Sequence, residues 1–289
     1  MKPSLRFSVP LIALLSAFAL AQSSIDQPQP EHFMRSFTIT PGGTLRVENY
    51  KGAIHVTGGN GNEIAVTVDK KFAGSDSDRK WWMENVRVKF ENDANQVLVT
   101  VEYPTSNCAS GCGNHDYTGE HDYTAAVDLT IAVPRRTNLN IDGYKPDIKL
   151  ASVEGDIRVK SYKSPIDIES TNGAIDISTY KETVRLHDVT VRGDLRLKME
   201  KGDATIEARN LGSDADIEMG KGSVVLRVPR NAGISVDYSG SRRSSLHSDL
   251  PIASESGFRS NEVRGTINGG GTHLRLHTDK GSFSIEGLS

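Results

Sequence analysis

From residue 44 onward, apolar and polar positions alternate in short runs, and a glycine keeps returning at their starts. KGAIHV (51–56), EGDIRV (154–159), NGAIDI (172–177), RGDLRL (192–197), KGDATI (201–206), KGSVVL (221–226) and KGSFSI (280–285) share one scheme. Each has a Gly, a small or acidic residue, and apolar residues two and four positions beyond the Gly; RGTING (264–269) is a degenerate copy. Strands without the glycine sit between some copies: SPIDIES (164–170), ETVRLHD (182–188) and DADIEMG (214–220). From Gly155 to Gly222 strands recur about every ten residues, and Gly-led copies recur at twenty, as in Gly173 to Gly193 and Gly202 to Gly222. Strict alternation puts Ile, Val and Leu on one face and Asp, Glu, Lys and Arg on the other, so each strand has one buried and one wet face. A glycine at a turn tolerates positive φ and lets the chain change direction sharply.

This pattern predicts an all-β fold. One architecture that satisfies it is a right-handed β-solenoid, a β-helix-like stack in which each coil of about twenty residues gives two short strands and packs on the next. A β-meander or sandwich is the alternative, with Gly turns such as Asn172-Gly173 as hairpin tips. The regular spacing, and turns that mostly read Lys-Gly or Arg-Gly, favour the solenoid.

The flanking segments extend this picture. FTIT, TLRVEN, AIHV and EIAVTVDKKF read as strands, and SDSDRKWWMEN (75–85) as one short helix with a Ser or Asp cap and Trp81 and Trp82 facing inward. VRVKF and QVLVTVEY form a further strand pair, and AAVDLTIAVP (125–134) resumes the pattern. SGSRRSSLHSDLPIASESGFRSN (239–261) interrupts the repeat and reads as a surface excursion. The organisation expected is a single domain over 36–288: an N-terminal β segment (36–103), a loop insertion (104–124) and a repeat region (125–288). Residues 22–35, rich in Gln and Pro, read as a flexible linker.

The chain opens MKPSLRFSVPLIALLSAFALAQS. Lys2 and Arg6 precede an apolar run that ends in Ala19-Leu20-Ala21, the pattern of a secretory signal peptide cleaved after residue 21. The run is short for a membrane span, and no later segment is apolar enough for one. An exported protein, periplasmic or extracellular, is expected. Removing Lys2 and Arg6 with the leader takes the net charge from −3 to −5, which argues against a nucleic-acid partner.

The repeat units, the Ala132-Val133-Pro134 strand end and the ending GTINGGGTHLRLHTDKGSFSIEG (265–287) together resemble a bacterial envelope family of β-strand repeat proteins, described as candidate adhesins or adhesin-head-like domains. The resemblance covers about residues 36–288 and implies a solenoid on the cell envelope. It implies no catalytic residues and no cofactor.

CASGCGNHDYTGEHDYT (108–124) lies outside that resemblance and holds the chain's only two cysteines. In an exported protein, Cys108 and Cys112 most simply pair as a disulfide. The sharper possibility is a metal site of Cys112, His115 and His121, with Asp116, Glu120 and Asp122 as further donors. C-x3-C followed by H-x5-H matches no strong zinc template, and oxidised cysteines do not ligate. The third possibility is a polar hairpin with Tyr117 and Tyr123 packed across it.

Weaker candidates remain. GGNGNEIAV (58–66) resembles one calcium nonapeptide with Glu63 in the Asp place, but such rolls need tandem copies. NGGGT (268–272) leads into a strand rather than a helix, so it lacks a phosphate-binding helix N-terminus. His273, Arg275 and His277 share one face, outward if Leu274 and Leu276 point in. SRRSS (241–245) reads equally as a contact for an anionic polymer and as a mobile loop.

A glycan-processing enzyme on this scaffold would need acids or cations converging on a groove. Asp156, Asp176 and Asp194 would line up if the rungs stacked in register, although such like-charged ladders repel. Otherwise the charges are scattered, and no nucleophile arrangement stands out. The function expected is a non-catalytic structural or binding module whose partner is an envelope glycan or protein. The alternative is a polysaccharide-processing enzyme. The last strand, Ser282 to Glu286, would leave an edge open to pairing.

Overall fold

A computed structural model of the chain describes residues 29–103, 124–254 and 261–288. The first strands are β1 (His32–Thr38), β2 (Thr44–Gly59) and β3 (Glu63–Ala73), followed by helix α1 (Asp76–Asn85). Next come β4 (Arg87–Asn92), β5 (Gln96–Glu102), β6 (Thr124–Pro134), β7 (Asn138–Ala151), β8 (Ile157–Lys163) and β9 (Ile166–Glu169). The chain continues through β10 (Asn172–Asn210), β11 (Asp214–Pro229) and β12 (Ile234–Gly240). It ends with β13 (Ser245–Ser248), β14 (Ala253–Ser254), β15 (Glu262–Ile267) and β16 (Thr272–Leu288).

The solenoid expectation is borne out, and the meander is not. Successive coils pair parallel and in register: Leu139 beside Ile157, Ile157 beside Ile175, and Leu195 beside Ala215 beside Leu274. Each coil gives a first strand and a second strand joined at a sharp corner. The apolar positions read from the repeats all point inward: Ile175 and Ile177 on one strand, Val184 and Leu186 on the next, all buried. Each such side chain contributes about 1.5–3 kcal/mol by leaving water, and repetition of the pair in every coil makes one continuous narrow core.

The glycine after the corner is required by close stacking. Gly222 has φ +135, and a Cβ there would stand 1.7 Å from the carbonyl oxygen of Gly202 in the coil below. Gly202 meets the carbonyl of Glu182 in the same way, at 1.9 Å.

The order of rungs departs from chain order at both ends. β2 sits between β7 on one side and the β5 and β6 rung on the other. β16 sits between β11 and the β12 and β13 rung. The last strand is therefore not an edge: Ser282 to Glu286 is flanked on one side by β11 and, through Ser282 to Ile285, on the other by β13, which corrects the sequence expectation. Antiparallel strands close each end. β4 pairs with β5 and β3 with β6, with β1 outside β3; β15 pairs with β12 and β14 with β15. The segment 239–261 is thus only partly an excursion, because β13 within it adds a rung.

β1 starts at His32, inside the segment expected to be a linker, and Gln29 already exchanges hydrogen bonds with the Val88 backbone. The helix forms as expected. Ser75 caps it by accepting from the Asp78 amide, and Asp76 and Asp78 lie in its positive first turn. Trp82 is fully buried and Trp81 half-buried. Beside it lies a buried cation, Lys70, whose Nζ donates to the carbonyl of Val86 at 3.2 Å and of Gln29 at 3.4 Å. Burial lowers its pKa to about 8, helped by the nearby Arg87 charge. No helix among the described residues is long and apolar enough to cross a membrane.

Candidate functional site

The outward columns of the strand faces neutralise themselves. On the first-strand face, Arg196, Asp216, Arg275, Asp237 and Arg264 stand on successive rungs with alternating sign. Arg275 lies 3.6 Å from Asp216, and Arg264 3.3 Å from Asp237. On the second-strand face, Glu207, Arg227 and Glu286 alternate likewise, and His187 stands between Glu169 and Glu207. Arg227 donates to Glu207 at 2.8 Å and to Glu286 at 2.9 Å. Its guanidinium holds the Glu207 carboxyl below the usual carboxylate range, and the paired Arg209 does the same to Asp188.

The expected alignment of Asp156, Asp176 and Asp194 does not occur. Asp176 stands opposite Arg158 and pairs with it at 3.1 Å, while Asp156 accepts from the Ala174 amide. Parallel register selects its own neighbours, and here it selects opposite charges. Asp194 does meet a like charge, Asp214, but Arg196 and Arg275 sit against the two.

The corner between the two strands is different. Tyr50, Tyr144, Tyr162 and Tyr180 occupy it on four rungs and stack in a column. Centroid separations are 4.8, 4.9 and 4.7 Å, with planes within 13° of parallel. The residue after each tyrosine is a lysine, and the column of lysines continues past the rings: Lys51, Lys145, Lys163, Lys181, Lys201, Lys221, Lys280. Register places Lys51 beside Lys145, Lys163 beside Lys181, and Lys201 beside Lys221 beside Lys280. With strands about 4.8 Å apart, seven rungs span about 30 Å.

Among the described residues none of these seven lysines has a carboxylate partner within 4 Å, whereas Lys71, Lys89, Lys149 and Lys198 elsewhere do. Three of the seven bring their ammonium groups close to a tyrosine ring: Lys145 is 5.2 Å from the Tyr144 centroid, Lys163 5.3 Å from that of Tyr162, and Lys201 5.4 Å from that of Tyr180. Like charges one rung apart repel by about 1 kcal/mol per pair even in water. The corner therefore concentrates unneutralised positive charge on a chain that is otherwise slightly acidic.

Where the tyrosines stop, the corner opens. The ladder position is Glu200, then Gly220, then Asp279, and a cleft of about 620 Å³ forms there. Lys201, Lys221, Lys280, Arg242 and Arg243 all line it, together with Glu200 and Asp279. The SRRSS stretch thus folds beside the lysine column: Ser241 donates from its hydroxyl to the Asp279 carbonyl, and its amide bonds the Thr278 carbonyl at 3.3 Å.

His273, Arg275 and His277 lie on the outward face, as expected, with Leu274 and Leu276 buried. His277 accompanies Ser239, and Arg275 belongs to the alternating ladder. GGNGN spans the end of β2 and the turn into β3, and NGGGT leads into β16, which starts at its Thr272. Cys108, Cys112, His115, Asp116, Glu120, His121 and Asp122 lie outside the described residues, as does the segment 1–21 expected to be a signal peptide. The chain leaves the described region at Tyr103, whose hydroxyl donates to Asn49 and to the Lys51 carbonyl, and rejoins it at Thr124. Among the described residues no cluster of three His, Cys, Asp or Glu is placed to hold a metal.

The tyrosine–lysine column escaped the sequence reading, which took each Lys-Gly as a turn. The signal was present: Tyr-Lys recurs at 144, 162 and 180 with a spacing of eighteen residues.

A family model, Toastrack DUF4097, matches residues 44–286, the whole rung stack from β2 to β16. The chain belongs to the Toastrack DUF4097 family. The envelope-family resemblance read from the repeats is thereby borne out, and the match covers both the Toastrack corner and its cleft. Two solved structures align with this Toastrack chain over most of its length. One is a candidate cell adhesion protein from Clostridium sporogenes, at TM-score 0.37 and 10% identity, covering 90% of this chain and 100% of that one. The other is a candidate adhesin from Bacteroides fragilis, at TM-score 0.35 and 10% identity, covering 91% and 99%. At these scores neither likeness bears on function. No curated protein matches the chain.

Proposed function

We propose that this Toastrack protein is an exported, non-catalytic binding module of the bacterial cell envelope, adhesin-like in that it holds an envelope glycan or protein. Its mature form is a single domain, expected over 36–288 and extended by β1 to His32, released from a signal peptide at 1–21. The observation that carries this reading is the contrast in charge. The strand faces are internally paired, while one continuous corner offers cations that have no carboxylate partner among the described residues. A surface of that kind suits attachment along a length better than chemistry at a point.

The perturbed groups fit the same reading. Asp188 and Glu207, both held below their ordinary range by guanidinium partners, are the reverse of the raised carboxyl that a glycosidase acid needs. They belong to ion-pair ladders on an open face.

Incubation of the purified protein with envelope polysaccharides tests it. Retention of polymer that is recovered at its original length is the expected result. Shortened polymer would overturn the module in favour of a polysaccharide-processing enzyme.

A further inference from the structure

We infer that the tyrosine–lysine corner and its adjoining cleft bind a linear acidic glycan, a polymer of uronate-type sugars, laid along the stack with one sugar residue per rung. The inference rests on the binding-module function and specifies the ligand of that module.

Charge comes first. On the strand faces, register brings opposite charges together, so those columns need no outside counter-ion. Along the corner, register brings Lys163 beside Lys181, and Lys201 beside Lys221 and Lys280. An external anion would relieve that repulsion. A small anion would satisfy one or two rungs, whereas a regular polyanion satisfies all of them, because its charges also repeat along a line.

The tyrosines point to sugar rather than to a bare polyanion. Their ring faces cover one another, at 4.7 to 4.9 Å, so they do not offer stacking platforms to a ligand. What the corner presents is ring edges and phenol oxygens beside the ammonium groups; Lys201 Nζ reaches the Tyr180 hydroxyl at 3.4 Å. An alternation of ammonium and hydroxyl matches a sugar acid, which carries carboxylate and hydroxyl groups on every residue.

The cleft supplies the end of the track. No ring stands at Gly220, and Arg242 and Arg243 line the cleft together with the lysines. Guanidiniums take carboxylates in bidentate fashion. Glu200 and Asp279 also line this cleft and act as acceptors for sugar hydroxyls. Their negative charge disfavours a ligand of very dense charge, which again selects a uronate polymer over a polyphosphate.

The test is fluorescence anisotropy of end-labelled oligogalacturonate with the purified mature chain. Neutral cello-oligosaccharide and linear polyphosphate of matched length serve as comparisons. The expected result is salt-sensitive binding of the uronate, weaker binding of polyphosphate and none of the neutral glycan. Combined Lys201→Gln, Lys221→Gln and Lys280→Gln should weaken uronate binding about tenfold, the sum of three modest exposed contacts. Arg185→Gln, on a strand face away from the corner, should leave it unchanged. Tyr162→Phe should also weaken binding while keeping the ring column and the circular dichroism spectrum.

Equal binding of neutral and acidic glycans would overturn the inference, as would a triple variant that binds like wild type or a preference for polyphosphate. If the triple variant still retains envelope polysaccharide at full length, the assignment to this corner falls and the module stands. If the oligogalacturonate is recovered shortened, the module itself falls.

Discussion

Tyr162 and Tyr180 stack face to face, with ring centroids 4.7 Å apart and planes 10° from parallel, across one full coil of the solenoid. The separation matches the distance between hydrogen-bonded strands, about 4.8 Å. One aromatic residue per coil at the same corner is therefore enough to build a continuous column, and the lysine that follows each ring is carried along with it.

The column should contribute to stability as well as to surface chemistry. Tyr162 touches a ring on either side, Tyr144 and Tyr180. Tyr162→Ala removes two stacks worth about 0.5–1.5 kcal/mol each. Chemical denaturation should show a loss of about 1–3 kcal/mol, and Tyr162→Phe should restore most of it.

The corner glycine is held to a stricter requirement. A methyl group at Gly222 would meet the Gly202 carbonyl oxygen at 1.7 Å, and its φ of +135 is hostile to any side chain. Gly222→Ala should cost well over about 1 kcal/mol and lower the melting temperature by several degrees. Gly269 provides the contrast. It also has positive φ, but nothing lies within 4 Å of the added carbon, so Gly269→Ala should cost less.

Lys70 predicts a dependence on alkaline pH. Its folded pKa is about 8 against 10.5 for the free side chain. Between those values the unfolded chain binds more protons than the folded one, so stability rises with pH across that window. The full effect is about 3 kcal/mol at 1.36 kcal/mol per unit. Lys70→Met lacks this term. The variant should be the more stable of the two at pH 7, and denaturation at pH 7, 9 and 10.5 should show wild type gaining on it steadily.

Glu207 predicts the opposite behaviour in acid. Arg227 and His187 favour its ionised form, so its folded pKa lies below the ordinary 4.5. The stabilisation is complete above 4.5 and is lost as pH falls through the lowered value. Glu207→Gln should be less stable than wild type at pH 7 by up to about 1 kcal/mol. That difference should disappear on acidification, as followed by tryptophan fluorescence.

Much of the fold was legible because a solenoid repeats one local rule. Gly followed by apolar residues at two and four, as in Gly202 with Ala204 and Ile206, states both where the corner lies and which side chains go inward. The helix was legible for an equally local reason: a Ser75 cap before an acidic first turn. The order of rungs was not. Nothing in KGSFSI reveals that β16 lies between β11 and β13, because pairing of distant segments depends on whole-strand complementarity. Charge ladders were hidden for the same reason. Asp176 looks equally ready to meet Asp156 or Arg158 until the register is known. The tyrosine–lysine column lay in between: its period was in the sequence, but its meaning required knowing that residues eighteen apart are neighbours.

Isothermal titration with oligogalacturonates of increasing length tests the central claim most directly, since that claim is attachment along a track. Seven lysines on seven rungs predict that affinity climbs with each added sugar and levels off near seven residues. Affinity that is already complete with a monosaccharide or disaccharide, or no heat at any length, would contradict it.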